Sequence, residues 1–313
     1  MPIRDRLLAG TVALLWGLNF LATDFGLRQF PPLLMIVLRF AVLAVPTVLF
    51  VPRPRVRWRW LIGYGLGFGT AQYAFLYIAM RDGMPAGLAS VVLQSSAPFT
   101  VLIAAAFLRE RLSRTQVAGI VIAVAGLAAL VCYRAQVAAA VPVLLTVCGG
   151  LGWAVGNVCN RQARPDSPLR LTLWMSVVPP VPMLLLSLLV EGPAAARHAL
   201  SGINSPTGWT ALAALGYIVL PATVLGAGIW TNLLRRHPAA VVAPFSLLIP
   251  VIGIAAAWLV LHQRPAVFEL CASAVVILGV LLGSRGNRIP TIRPPELAPP
   301  TPAVQGTTPR ARR

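Results

Sequence analysis

Few residues in this chain are equipped for chemistry, and most of them stand inside long apolar runs. Arg39 lies about two helical turns into the run PPLLMIVLRFAVLAVP. A fixed cation there can grip a carboxylate through its planar fork. It can also serve structure, by snorkelling its head to an interface or by pairing with an acid on a neighbouring helix, for which Asp24 is available. Asp24 is followed one turn later by Arg28, a spacing that favours a local ion pair. The alternative for Asp24 is a carboxylate that takes up and releases protons as a coupling group. Asn19, Gln72, Gln94, Asn157 and Asn160 are neutral hydrogen-bonding groups in or near four different runs. Each either joins helices or lines a shared cavity able to bind a small polar molecule. Trp16, Trp153, Trp174 and Trp230 either wall that cavity or anchor the ends of spans at an interface.

Patterns that would make an enzyme of these groups do not occur in the sequence. There is no HExxH, GxSxG or Walker A motif, and His198, His237 and His262 fall in predicted loops remote from paired carboxylates. Cys132, Cys148, Cys159 and Cys271 have no CxxC or Cys/His spacing, so no metal site and no cofactor is expected, and the cysteines read as small packing residues.

The elements that must hold these side chains are dictated by composition. Hydrophobic residues make up 58% of the chain and charged residues 11%, with a mean hydropathy of +0.79; soluble domains carry about a quarter charged residues. Such a chain is expected to be an all-α integral membrane protein in a lipid bilayer. Crossing a hydrocarbon core of about 30 Å takes about 20 helical residues. Apolar runs separated by Arg, Pro and Gly clusters predict ten spans, near 7–27, 33–51, 60–80, 86–108, 116–133, 141–160, 169–190, 208–230, 239–261 and 266–284. The net charge of +18 does not point to nucleic acid, because the arginines lie in short runs between apolar segments and no compact basic domain carries them. All 26 basic residues are arginine, and in the ten-span arrangement twenty fall on one side and five on the other, with Arg39 inside a span. The positive-inside rule then places the N-terminus, and with an even number of spans both termini, on the cytoplasmic side.

The chain also repeats itself. PAGLASVVLQSSAPFTVLIAAAFLRERL, from Pro85, is echoed by PAAVVAPFSLLIPVIGIAAAWLVLHQRP, from Pro238, which with a one-residue shift brings Pro98 onto Pro250. Trp16 and Asn19 are likewise echoed by Trp153 and Asn157. Two repeats are expected, residues 1–135 and 136–285, and because each holds five spans the second is inverted in the membrane. Pro98 and Pro250 would break the backbone ladder at equivalent depths, as hinges or simply as helix-shaping residues. Gly63, Gly65, Gly67 and Gly69, Gly152 with Gly156, and Gly279 with Gly283 have the spacing of close helix crossings. Residues 286–313, rich in proline and arginine, are expected to form a disordered cytoplasmic tail.

With WGLNF at 16–20, LRF at 38–40, RERLSRTQVAG at 109–119 and VAPFSLLIPVIG at 242–253, the two halves resemble EamA-type domains of the drug/metabolite transporter superfamily. The run at 63–94 looks most like bacterial exporters of O-acetylserine and cysteine. This resemblance implies a secondary transporter of the bacterial inner membrane, exporting small amino-acid-type metabolites by alternating access through a central cavity. Arg39 and Asn19 occupy positions shared with the family's motifs, and protons are a compatible coupling ion. Other amino acids, purines or drug-like compounds are alternative cargoes, and a membrane-embedded enzyme or scaffold is the alternative of another class. One departure stands out: Gln263 precedes Arg264 where such exporters carry an acidic residue.

Overall fold

The computed structural model describes residues 1–108, 112–135, 140–237 and 239–284, and every regular element among them is helical. The tail beyond residue 285 and the Glu110 turn lie outside the described residues. Ten helical spans follow one another: α1 (Ile3–Leu27), α2 (Pro32–Phe50), α3 (58–81), α4 (86–108), α5 (Arg114–Ala135), α6 (Ala140–Ala163), α7 (Pro168–Asn204), α8 (Pro206–Arg236), α9 (239–261) and α10 (267–284). Their ends follow local chemistry. Pro32, Pro168 and Pro206 stand at first-turn positions, where a missing N–H costs nothing. Ser167 and Ser205 cap the backbone N–H groups of Arg170 and Gly208. Gly83, at φ 100°, supplies the left-handed residue between α3 and α4, and Gly192, at φ 81°, breaks α7 where it leaves its apolar stretch.

Eight of these helices are at least 18 residues long and apolar enough to cross a membrane, and Val267–Gly283 is a shorter apolar helix. The remaining span, α3, is diluted by glycines, tyrosines and Gln72, and it is also among the most enclosed. A helix surrounded by protein has no need of lipid-compatible side chains. The lipid-facing surface lies elsewhere, on Val45, Leu49 and Phe50 of α2, Phe107 of α4, Leu189 of α7 and Leu259 of α9, all exposed.

Two departures from α-geometry recur at corresponding places in the two sets of five helices, while a third, the π-segment Ser187–Glu191 of α7, has no counterpart in α2. α3 widens to a π-helix over Gly65–Gln72, as α8 does over Ile218–Leu225. α4 tightens to a 3-10 turn over Leu93–Ser95, as α9 does over Ala243–Leu247. The proline pair accounts for the second correspondence: Pro98 cannot donate to the carbonyl of Gln94, nor Pro250 to that of Ser246, so the preceding turn is rearranged. Pro221 does the same within the π-segment of α8.

The halves are held together by close crossings. α3 lies against α6, and α5 runs along α10. A Cβ placed on Gly67 would stand 2.7 Å from the amide nitrogen of Gly156 and 2.8 Å from the carbonyl oxygen of Gly152, so backbone meets backbone. Gly119 meets Gly279 and Gly283 in the same way. At a third crossing, Gly17 of α1 receives Ile252 of α9, and Gly253 receives Ser90 of α4. Gly67→Leu is therefore expected to lower the thermal midpoint of the detergent-purified protein, the overpacking costing about 1–3 kcal/mol. Gly216→Leu, where a Cβ meets nothing within 4 Å, is expected to leave it nearly unchanged. Equal losses from the two would contradict the close crossing.

Candidate functional site

Arg39 is 4% exposed, and no acid touches it among the described residues. Its guanidinium is held instead by neutral oxygens from two neighbouring helices. Nη1 donates to the Tyr77 hydroxyl at 2.8 Å; Nη2 donates to the Tyr73 hydroxyl at 2.9 Å and to Thr223 Oγ1 at 3.2 Å. The face of Tyr73 lies 4.1 Å from the guanidinium carbon, adding a cation–π contact. Tyr73 and Tyr77 are one turn apart on α3, which puts both hydroxyls on one face. Thr223 lies in the π-segment of α8, its own hydroxyl donating to the Ile218 carbonyl. The Arg39 Nε–H is buried without a partner. The result is a cation whose charge is uncompensated, with donor capacity to spare, at the meeting of α2, α3 and α8.

Trp16 reaches the same stretch of α8 from the other side. Its Nε1–H donates to the Ala222 carbonyl at 2.8 Å, Tyr217 donates to the Leu15 carbonyl at 2.9 Å, and Trp16 packs on Trp230 at 5.3 Å between centroids. Consecutive residues of α8 thus bind Trp16 and Arg39. Trp153, the repeat partner of Trp16, packs edge to face against Phe68 in the π-segment of α3. Phe68 in turn contacts Tyr73, which connects Trp153 to the Arg39 cluster through aromatic rings.

A second group of polar atoms is buried and unpartnered: Asn19 Oδ1, Thr70 Oγ1, Gln72 Oε1 and Ser95 Oγ. Gln72 closes the π-segment of α3, and Gln94 and Ser95 form part of the tightened turn of α4. Both segments abut α6, where Gly149 and Gly150 leave room for the Gln72 backbone and the Ser95 hydroxyl. Asn157 is used between helices, its Nδ2 donating to Thr100 Oγ1 at 3.2 Å. Asp24 is paired with Arg28 at 2.8 Å, and not with Arg39. Pro98 and Pro250 are buried just beyond the irregular turns they create. An open trough of about 580 Å³ along α8, lined by Leu220, Pro221, Val224, Leu225, Gly228, Ile229 and Asn232, includes none of the site residues expected from the sequence.

Several polar contacts escape sequence reasoning. Tyr73, Tyr77 and Thr223 read as ordinary residues of apolar runs, although Thr70 and Thr223 hold equivalent places in α3 and α8 and so mark the depth of the site. A second acid within a span, Glu269, is 5% exposed in the first turn of α10, lies 2.7 Å from Arg134 Nε and accepts the Ala266 amide. Glu191, just before the break at Gly192 in α7, accepts the amides of Leu33 and Leu34 at 2.7 and 3.1 Å, capping the helix that carries Arg39. Gln263 accepts the Ala86 amide at the start of α4 at 3.1 Å, so a neutral side chain caps that helix. His237 is not remote from carboxylates: Asp5, distant in sequence, lies 2.6 Å away.

A bundle that turns apolar side chains outward and keeps an uncompensated cation and unpartnered oxygens within it is built as a multi-pass membrane transporter. The chain belongs to the EamA-like transporter family, which matches residues 6–132 and again residues 140–285. It is 39% identical over 295 residues to the probable amino-acid metabolite efflux pump of Salmonella typhimurium, covering 92% of this chain and 97% of that one. It is 38% identical over 294 residues to the pump of the same name from Escherichia coli, with the same coverage, 92% and 97%. A probable terminal-alkyne amino-acid exporter of Streptantibioticus cattleyicolor is 27% identical over 240 residues, 75% of this chain and 76% of that one. The fold is similar to that of one solved crystal structure at a TM-score of 0.60 and 20% identity, over 93% of this chain and 99% of that one.

Hydrogen bonds to charged groups contribute about 1.5–3 kcal/mol. Tyr77→Phe is expected to destabilise the purified protein by that order, and by much less in an Arg39→Met background, as a double-mutant cycle of thermal midpoints would record. Equal losses in both backgrounds would show that hydroxyl and guanidinium are not coupled.

Proposed function

We propose that this protein exports small amino-acid-type metabolites, of the cysteine or O-acetylserine kind, from the cytoplasm across the bacterial inner membrane, with both termini cytoplasmic. The observation that carries this reading is the Arg39 guanidinium, buried with no counter-charge among the described residues and with its Nε–H unpartnered. A substrate carboxylate supplies what that cation lacks. The unpartnered oxygens of Asn19 and Gln72 suit a substrate's ammonium group, and we assign Gln94, Trp16 and Trp153 to the same site. The names of the closely similar efflux pumps support the amino-acid class and the direction. The excess of arginine on one side supports the orientation.

Transport proceeds by alternating access, residues 1–135 rocking against 136–285. Arg39 is closed over in this conformation, so loading requires movement. The paired irregular segments of α3 with α8 and α4 with α9 support motion at those places, with Pro98 and Pro250 as hinges. Proton exchange supplies the energy. Asp24, committed to Arg28, is better placed for structure than for proton transfer.

Inside-out vesicles expressing the protein should take up labelled O-acetylserine and cysteine, faster with a proton gradient. Arg39→Ala should lower uptake at least about tenfold, the equivalent of 1.4 kcal/mol, at equal expression. Wild-type vesicles without uptake would overturn the substrate class, and full activity of Arg39→Ala would overturn the role of the guanidinium.

A further inference from the structure

At the end of the bundle where α1 begins, the first and second halves are joined by a charged contact. His237 Nε2 lies 2.6 Å from Asp5 Oδ2, and Arg236 Nη1 lies 4.0 Å from Asp5 Oδ1. Asp5 sits in the first turn of α1 and is 6% exposed; His237 terminates α8, its amide donating to the Leu233 carbonyl. Beneath the pair lies a small apolar cluster of its own, Ala9 with Leu233 and Val242, joined by Met1, Leu8 and Trp230. The contact ties the start of α1 to the connection between α8 and α9, two helices that belong to the other half and carry irregular segments.

The opposite end of the bundle has no equivalent. In the register that pairs Trp16 with Trp153, Asp5 falls on Pro142; in the register that pairs Thr70 with Thr223, His237 falls on Met84. Both are buried and neither ionises. The positions that correspond to this pair thus hold no ionisable group; the ion pair at the opposite end, Arg134 with Glu269, joins α5 to α10 and contains no histidine.

The charges around the pair are Arg4 and Arg6 on α1 and Arg235 with Arg236 on α8; the described start of α9 contributes none. Asp166 and Arg170 at the nearby start of α7 are bound to each other at 3.3 Å. The hydrogen bond with His237 holds the Asp5 carboxyl below its ordinary range, against the opposing effect of burial and with help from the charges of His237, Arg236 and Arg4. Asp5 therefore contributes its part of the contact above the usual carboxylate range and loses it only in acid. Between pH 5 and 8 the imidazole is the side-chain type that ordinarily changes charge. A charged imidazole makes a charge-assisted bond about twice as strong as a neutral one.

We propose that Asp5 and His237 form a latch closing the cytoplasmic end of the carrier, which loosens as His237 loses its proton, so that the pH at that face sets how readily the site opens to load. The assignment to the cytoplasmic face rests on the orientation proposed above. It describes a control on the transporter, separate from the substrate site and from any proton that drives transport.

Initial uptake of labelled O-acetylserine down its own gradient into inside-out vesicles, with pH kept equal on both sides so that no proton gradient exists and varied from about 5.5 to 8, reads the latch directly. Wild-type uptake is expected to rise about three- to fivefold as the pH rises, the size of effect expected when one ion pair is weakened. His237→Gln and Asp5→Asn are each expected to flatten the profile near its upper level. The thermal midpoint of the purified protein, which needs no transport, should fall across the same range in wild type and stay level in His237→Gln. Wild-type vesicles that take up nothing would overturn the proposed function, leaving the midpoint to judge the latch. A His237→Gln protein that keeps the wild-type pH dependence in both measurements would overturn the latch itself.

Discussion

In hydrocarbon, a polar group that the protein does not satisfy is not satisfied at all, and Arg39 is where this constraint bears hardest. Lipid cannot solvate its charge, and no acid among the described residues cancels it. Two tyrosines of α3 and a threonine of α8 share the task, so the cation fixes the relative positions of three helices and spans both halves of the chain. Those partners are all neutral. Neutral oxygens orient a guanidinium without quenching its charge, which leaves it free to favour an anion.

The rest of the architecture keeps such groups away from lipid. Where helices are to stay together, glycines bring backbones into contact: Gly67 with Gly152 and Gly156 joins α3 to α6, and Gly119 with Gly279 and Gly283 joins α5 to α10. Where the helical ladder is irregular, in α3, α4, α8 and α9, prolines or runs of glycine are responsible, and the irregularities fall beside the buried polar atoms. The ends of the bundle are closed by cross-half polar contacts. Glu191 caps α2, Gln263 caps α4, Arg134 pairs with Glu269, and Asp5 pairs with His237.

Much of the fold is legible in the sequence because its cause is one-dimensional. Apolar runs of bilayer length delimit most spans to within a few residues, α3 included, although α7 runs on past its expected end at 190 to Asn204, and Pro98 and Pro250 flank similar distortions. The Asp24–Arg28 pair is legible because its partners are one turn apart. The site is legible only in outline. Arg39 stands out as a charge in an apolar run, but Tyr73, Tyr77 and Thr223 are uncharged and fit their surroundings, so nothing marks them as its partners. Asp5 with His237 and Arg134 with Glu269 are distant in the chain and meet only through tertiary packing. The neutral cap by Gln263 shows the same limit: the substitution for an acid is visible, but the amide of Ala86 that it serves is not.

The central claim is that Arg39 receives the carboxylate of the substrate. Its most direct test is a thermal-shift comparison of O-acetylserine with O-acetylserine methyl ester on the purified protein, since a ligand that binds the folded state raises its midpoint in proportion to the logarithm of concentration over Kd. The account predicts that the free acid stabilises the wild type, that the ester does not, and that Arg39→Met removes the difference. Equal stabilisation by acid and ester in the wild type would contradict it.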